Sequence, residues 1–187
     1  MVHLTRYCMY KRIKECFKEP VTGKILGISG IKNFYPSIDM KNAEIIEVQY
    51  PSVDMQNLPF KNNIFDFVIS DQVIEHLENP QKAVDESYRV LKNGGVAIHT
   101  TCFMLPIHLA PQDYWRFTPD ALLCLCHNFS EIQQCNGWGN KVAYLLCVIN
   151  HRFQFMEIPE SKWSIRRWLA SWNDTRYPIL TWVIAKK

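Results

Sequence analysis

A chain of 187 residues, 48% of them apolar and 21% charged, can bury one full hydrophobic core, and its formal net charge of +3 is too small to mark a nucleic-acid partner. Seven cysteines (Cys8, Cys16, Cys102, Cys124, Cys126, Cys135 and Cys147) make an odd set with no paired CxxC framework, which argues against a disulfide scaffold and for a reducing, cytoplasmic setting. The start has no signal-peptide pattern, and the longest apolar run, 142–149, is far too short to span a bilayer.

Leu4, Tyr7, Cys8, Ile13 and Phe17 can line one side of a helix over 3–18, with Lys11, Arg12, Lys14 and Glu15 in water and Pro20 as the stop. Residues 24–28 read as a strand, closed by the small turn Ser29-Gly30. Only 31–53 follow before the next landmark, room for one strand at 44–48 and little more. Residues 65–70 are a short apolar run of β-branched and aromatic residues, as in a buried strand. Asn79-Pro80 supplies an N-cap and a first-turn proline. Ala83, Val84, Ser87, Tyr88 and Leu91 then share one helix face and Lys82, Asp85, Glu86 and Arg89 the other, until Asn93-Gly94-Gly95 offers the φ > 0 stop. Residues 96–101 make the next strand. Strand, helix, strand is a βαβ unit, which predicts a mostly parallel sheet.

The loop 103–117 gathers His108, Asp113, Tyr114 and Arg116 before Thr118-Pro119-Asp120 opens another helix. Cys124 and Cys126, two apart in that helix, face different ways, so no zinc site is expected there, and nothing in the sequence requires a metal. Residues 129–134 read as a strand and Gly137-Trp138-Gly139-Asn140 as a turn. The run 142–149 is apolar on all sides, so it is expected to be buried or to meet a partner. In the expected helix 160–173, Ile165, Trp168, Leu169 and Trp172 share a face while Lys162, Arg166 and Arg167 line others. It can dock on the core or lie on a membrane or anionic partner. Residues 181–186 form a closing strand.

Leu58-Pro59-Phe60, then Phe65-Asp66-Phe67-Val68-Ile69-Ser70, then Val73-Ile74-Glu75-His76-Leu77, then Arg89-Val90-Leu91-Lys92-Asn93-Gly94-Gly95 follow one another almost without gaps. This order resembles class I S-adenosylmethionine (SAM) dependent methyltransferases of the small-molecule type with an LPF, VLEHL and RVLKPGG-like signature. The resemblance implies an α/β, Rossmann-like class I methyltransferase sheet flanked by helices. It is shortened around the second strand, because the family's helix, strand and helix do not fit into 31–53. One domain over 1–187 is expected, with a leading helix at 1–20, a cofactor-binding core at 21–117, and acceptor-side helices and a closing strand at 118–187.

The same resemblance implies S-adenosyl-L-methionine as cofactor. Gly27, Ser29 and Gly30 then stand in the cofactor loop, with Gly27 where the family carries an acid. Glu47, or in its place Asp39, would hold the ribose hydroxyls. Asp54 would accept from the adenine amine and Met55 would cover the ring. Ser70, Asp71 and Gln72 fall just past a strand's carboxyl end, where open α/β sheets bind ligands. The run from Pro106 to Thr118 resembles a subset in which this segment lies beside the acceptor. His76, His108 and Asp113 become the proton-handling candidates, and Tyr114 and Arg116 the acceptor binders. Each has a structural alternative, for Asp113 and Arg116 an ion pair inside a packed loop. The implied function is methyl transfer to the O, N or C of a small molecule or glycan precursor. The missing acid and the shortened segment keep a competing reading open, a methyltransferase-like binding or assembly subunit that has lost SAM use.

Overall fold

The structure, a computed structural model, describes residues 3–161 and 163–187; Met1, Val2 and Lys162, which belong to the expected segments 1–20 and 160–173, lie outside the described residues. Its strands are β1 (Gly23–Ile28), β2 (Ala43–Val48), β3 (Phe65–Asp71), β4 (Leu91–Cys102), β5 (Glu131–Trp138) and β6 (Leu180–Lys186). They form one sheet in the order β2-β1-β3-β4-β6-β5. The first four run parallel, and β6 is antiparallel to both β4 and β5. The helices are α1 (Leu4–Cys16), α2 (Pro80–Val90), α3 (Pro119–Leu125), α4 (Lys141–Ile149) and α5 (Ile165–Ser171).

Successive strand residues point to opposite faces. Ile25, Ile69, Ile98 and Ile184 therefore join one buried cluster with Leu4, Met9 and Ile13 of α1, Ala143 of α4 and Leu169 of α5. Leu26, Val68, Ala97 and Val183 join the other with Ala83 and Val84 of α2 and Leu122 of α3. Both faces are covered, so the strands read as continuous apolar runs rather than alternating ones.

The shortening lies in the connections of β2. Between β1 and β2 the only helical element is the 3₁₀ turn Lys32–Phe34, and 49–64 carry no helix or strand. β2 becomes an edge strand, and no residue of it is fully buried.

Three local signals act differently from the sequence expectation. α2 starts as expected, with Asn79 Oδ1 accepting from Lys82 N at 3.0 Å, but stops at Val90, and Leu91 already pairs with Phe65. The φ > 0 residue is Gly94, at +79°, inside a bulge of β4 rather than at a helix cap. β5 continues through Gly137 and Trp138, which the sequence placed in a turn, because they pair with Thr181 and Leu180. Finally, the expected helix 160–173 is only the seven residues of α5. It buries Leu169 and Ala170 and leaves Ile165 and Trp168 exposed. α4 likewise buries only Ala143 and Cys147, with Val142, Leu145, Val148 and Ile149 in the open.

The LPF and RVL signatures turn out to be two halves of one clasp. Arg89 donates to both oxygens of Glu86 at 2.7 Å, to the carbonyls of Leu58 (3.0 Å) and Phe60 (2.8 Å), and to Asn62. Glu86 Oε2 accepts from Leu58 N at 2.8 Å. The arginine thus fixes the loop that leads into β3. Arg89→Ala is expected to lower the unfolding free energy by about 2 kcal/mol in urea titration, since charge-assisted bonds are lost and two carbonyls are left unserved. Arg89→Lys should recover only part, because an ammonium cannot span the carboxylate and both carbonyls.

Candidate active site

A cleft of about 690 Å³ opens at the carboxyl ends of β1, β2 and β3. Ile28 and Ser29 enter it from β1, Gln49 and Tyr50 from β2, and Gln72 and Val73 from β3. The loop before β3 adds Val53, Asp54, Met55 and Gln56; the turn after β3 adds His76, Leu77 and Glu78; the 103–117 loop adds Ala110, Pro111, Gln112 and Tyr114.

Three backbone positions shape this mouth. Ser29 (φ +62°), Gly30 (φ +86°) and Gln72 (φ +59°) are left-handed, so both central strands leave the sheet in sharp turns. Ser29 N is held by the Val48 carbonyl at 2.9 Å, and Gln72 N by the Thr100 carbonyl at 3.0 Å. A Cβ on Gly30 would meet no heavy atom within 4 Å, so the backbone there stands open to an approaching ligand. Asp54 accepts from Gln56 N at 2.8 Å and Gln56 Nε2 at 3.2 Å, and Met55 is buried. His76 Nδ1 faces the Gln112 carbonyl. A carbonyl only accepts, so the proton sits on Nδ1 and Nε2 keeps a free lone pair. Tyr114 donates to Glu78 at 3.2 Å and its backbone N–H to the Glu75 carbonyl at 2.9 Å.

Of the residues expected from sequence, Ser29, Asp54, Met55, Gln72, His76 and Tyr114 line this cleft, and the others do not. A side chain on Gly27 would meet Ile31 at 2.9 Å, so that glycine serves packing. Glu47 lies within β2, exposed, beside Gly27 of β1; the cleft takes Gln49, one residue past the strand end. Asp39 lines a separate groove at the sheet edge and accepts from Lys41 N. Neither ribose carboxylate proposed from sequence is therefore at the mouth, and Gln49 and Tyr50 are the polar groups that sequence reasoning passed over. Counting from the end of the apolar run, rather than choosing the nearest acid, would have found them.

Ser70 is fully buried, its Oγ 2.7 Å from His99 Nδ1. Asp71 has both oxygens engaged, Oδ1 by Thr100 (2.6 Å) and Oδ2 by Arg6, Tyr10 (3.0 Å) and Asn33 (3.4 Å). Arg116 spends its donors inside the loop, on Asp113 Oδ2 (2.8 Å) and the carbonyls of Leu105, Pro106 and Trp115. Hydrogen bonds from that guanidinium hold Asp113 down at about 2, and Asp113 also accepts from His108 N at 2.8 Å. The ion-pair alternative therefore describes Asp113 and Arg116 here: they brace the loop and do not present free groups to an acceptor. His108 sits edge-on to His76, ring centres 4.9 Å apart, outside the cleft lining.

A methyltransferase-domain family model matches residues 12–99. An uncharacterised protein of Methanocaldococcus jannaschii is 49% identical over 58 residues, which are 31% of this chain and 28% of that one. The chloroplastic 2-methyl-6-phytyl-1,4-hydroquinone methyltransferase 2 of Oryza sativa subsp. japonica is 42% identical over 91 residues, 48% of this chain and 23% of that protein. The matches thus span about a quarter of the length of these curated relatives. Among solved structures, the phosphoethanolamine N-methyltransferase 2 of Haemonchus contortus in complex with S-adenosyl-L-methionine superposes with a TM-score of 0.63 at 16% identity, over 97% of this chain and 52% of that one. At that identity the likeness concerns the fold. The chain thus carries a match to a methyltransferase-domain model over 12–99, on a sheet whose fold a solved methyltransferase shares.

Proposed function

We propose that the chain binds S-adenosyl-L-methionine in the 690 Å³ cleft and passes its methyl group to a small-molecule or glycan-precursor acceptor. The observation that carries this reading is the convergence of Ser29, Gln49, Asp54, Met55 and Gln72 on one mouth at the carboxyl ends of parallel strands. When bound, the cofactor supplies a sulfonium methyl already activated for in-line transfer. The protein's work is then mainly positioning. The open backbone at Ser29-Gly30 admits the amino-acid end. Asp54 and Met55 suit the adenine, one as acceptor and one as polarisable cover. Gln49 and Tyr50 take the ribose side. His76, with its proton fixed on Nδ1, offers Nε2 to an acceptor that must lose a proton. The segments 1–20, 21–117 and 118–187 act in this reading as one domain, and seven unpaired thiols suit a reducing cytoplasm.

A second reading, an assembly subunit without SAM, draws support from the missing acid at Gly27 and from the exposed apolar side chains of α4 and α5. The same side chains support membrane or partner contact by the 160–173 segment, although no helix among the described residues is long and apolar enough to cross a membrane. Calorimetric titration with SAM and S-adenosylhomocysteine separates the two. Micromolar binding is expected, weakened about 10- to 100-fold by Asp54→Ala, the loss of one charge-assisted hydrogen bond, and unchanged by Glu47→Ala. A folded protein that binds neither ligand up to about millimolar would favour the assembly subunit.

A further inference from the structure

Beside the cleft, under the 103–117 loop, three metal-ligating side chains from different segments converge. A carboxylate oxygen of Glu75, the sulfur of Cys102 and a ring nitrogen of His108 all lie within 4.8 Å of one another. Glu75 sits on the 3₁₀ turn Ile74–His76, Cys102 ends β4, and His108 comes from the loop. Glu75 is fully buried. Its Oε2 accepts from Thr101 Oγ1 at 2.9 Å, while its Oε1 has no partner. That oxygen faces His108 Nε2 across 4.0 Å.

The histidine is oriented from its far side. Its Nδ1 lies 3.2 Å from the Pro106 carbonyl and 3.4 Å from Asp113 Oδ2. Both are acceptors, so the proton sits on Nδ1 and the Nε2 lone pair points at Glu75. Two acceptor atoms thus face each other at a separation too long for a hydrogen bond, with a sulfur beside both. A carboxylate that holds the back of a histidine whose other nitrogen meets a metal is a recurring arrangement. A tetrahedral zinc ion sets its N, O and S donors about 3.3–3.8 Å apart, so small rotamer adjustments would close the set. The charges also balance. Arg116 neutralises Asp113, which leaves the Glu75 carboxylate and a Cys102 thiolate to match a divalent cation.

We propose that Glu75, Cys102 and His108 bind a zinc-class divalent cation, with Asp113 positioning His108 and a fourth coordination place left for water or an acceptor heteroatom. The mixed N, S and O donors suit zinc over magnesium or calcium. Binding forms the metal–sulfur and metal–carboxylate bonds and releases to solvent the protons held on the Cys102 thiol and on the Glu75 carboxyl. The site does not depend on SAM use, and in this arrangement His108 is a ligand, which leaves His76 as the proton acceptor at the cleft.

The test is a cobalt(II) titration of the full, chelator-stripped chain, followed by zinc(II) displacement. One equivalent is expected to bind at about micromolar or tighter, with a thiolate-to-cobalt charge-transfer band that zinc removes. Cys102→Ser should abolish the band. His108→Ala, at a half-exposed position whose loss spares the core, should abolish stoichiometric binding. Asp113→Asn should weaken it about 10- to 100-fold. The double variant Cys16→Ser, Cys124→Ser, which removes the two exposed thiols, should leave it intact. Absence of a stoichiometric band, or a band that survives in both Cys102→Ser and His108→Ala, would overturn the proposal.

Discussion

Asp71→Ala is expected to lower the unfolding free energy by about 3–5 kcal/mol, the cost of removing one partner from a buried ion pair. The carboxylate is 2% exposed and sits at the end of β3, yet two of its partners, Arg6 and Tyr10, come from α1. Thr100 of β4 and Asn33 complete its shell. Asp71 therefore latches the leading helix onto one face of the sheet at the carboxyl end of β3. Alanine would leave the guanidinium and the phenol hydroxyl without their acceptor in a largely dry place, and each unmet group carries its own desolvation cost. Tyr10→Phe removes one of these bonds and should cost about 1 kcal/mol. Urea unfolding gives both values, and limited proteolysis should show 3–16 released first in Asp71→Ala. A loss below about 1 kcal/mol for Asp71→Ala would mean that Arg6 swings into water and the latch adds little.

The latch also shows where sequence reading stops. β3, α2 and β4 were legible because their signals are local: an apolar run, the Asn79-Pro80 start, a helix face, a glycine break. The end of α2 was placed too late because Gly94 serves a bulge, and a φ > 0 glycine looks the same in a sequence whether it caps a helix or kinks a strand. Ser29, Asp54, Gln72 and His76, which the resemblance to the family singles out, line the mouth. The sequence offers Glu47 and Asp39 as carboxylates near β2, but a two-residue shift along the strand decides which side chain reaches the cleft, and that side chain is Gln49. Ser70, Asp71 and Arg116 stay out of the cleft lining for another reason. Their polar groups are consumed by His99, Arg6 and the loop carbonyls, and no pattern along the chain reveals a partner brought in by tertiary folding. The all-round apolar run 142–149 illustrates the converse: composition called for burial or a partner, and the helix leaves most of those side chains uncovered.

Acidification should erode stability through His99, by about 3 kcal/mol between pH 7 and pH 4 in chelator-treated protein, the equivalent of its displaced protonation. His99 is fully buried in the centre of β4, its Nδ1 on Ser70 Oγ and its Nε2 unpartnered. Burial pushes its imidazole down to about 4. In the unfolded chain the ring protonates near pH 6.5. Below that pH the unfolded state takes up a proton that the folded state refuses, so unfolding is favoured progressively as pH falls towards 4. Glu75 works the other way. Its burial pushes the carboxyl up to about 7, so its contribution to stability is lost as pH rises from the unfolded value through 7. The two windows overlap with opposite signs, and the wild-type profile alone should look almost flat. The difference between wild type and His99→Leu cancels the Glu75 effect, because both proteins carry that residue. Urea titrations across pH 4–7 should show the wild-type advantage shrinking by about 3 kcal/mol on acidification. A difference independent of pH would mean that the folded protein protonates His99 in place, which would require β4 to open locally before the molecule unfolds.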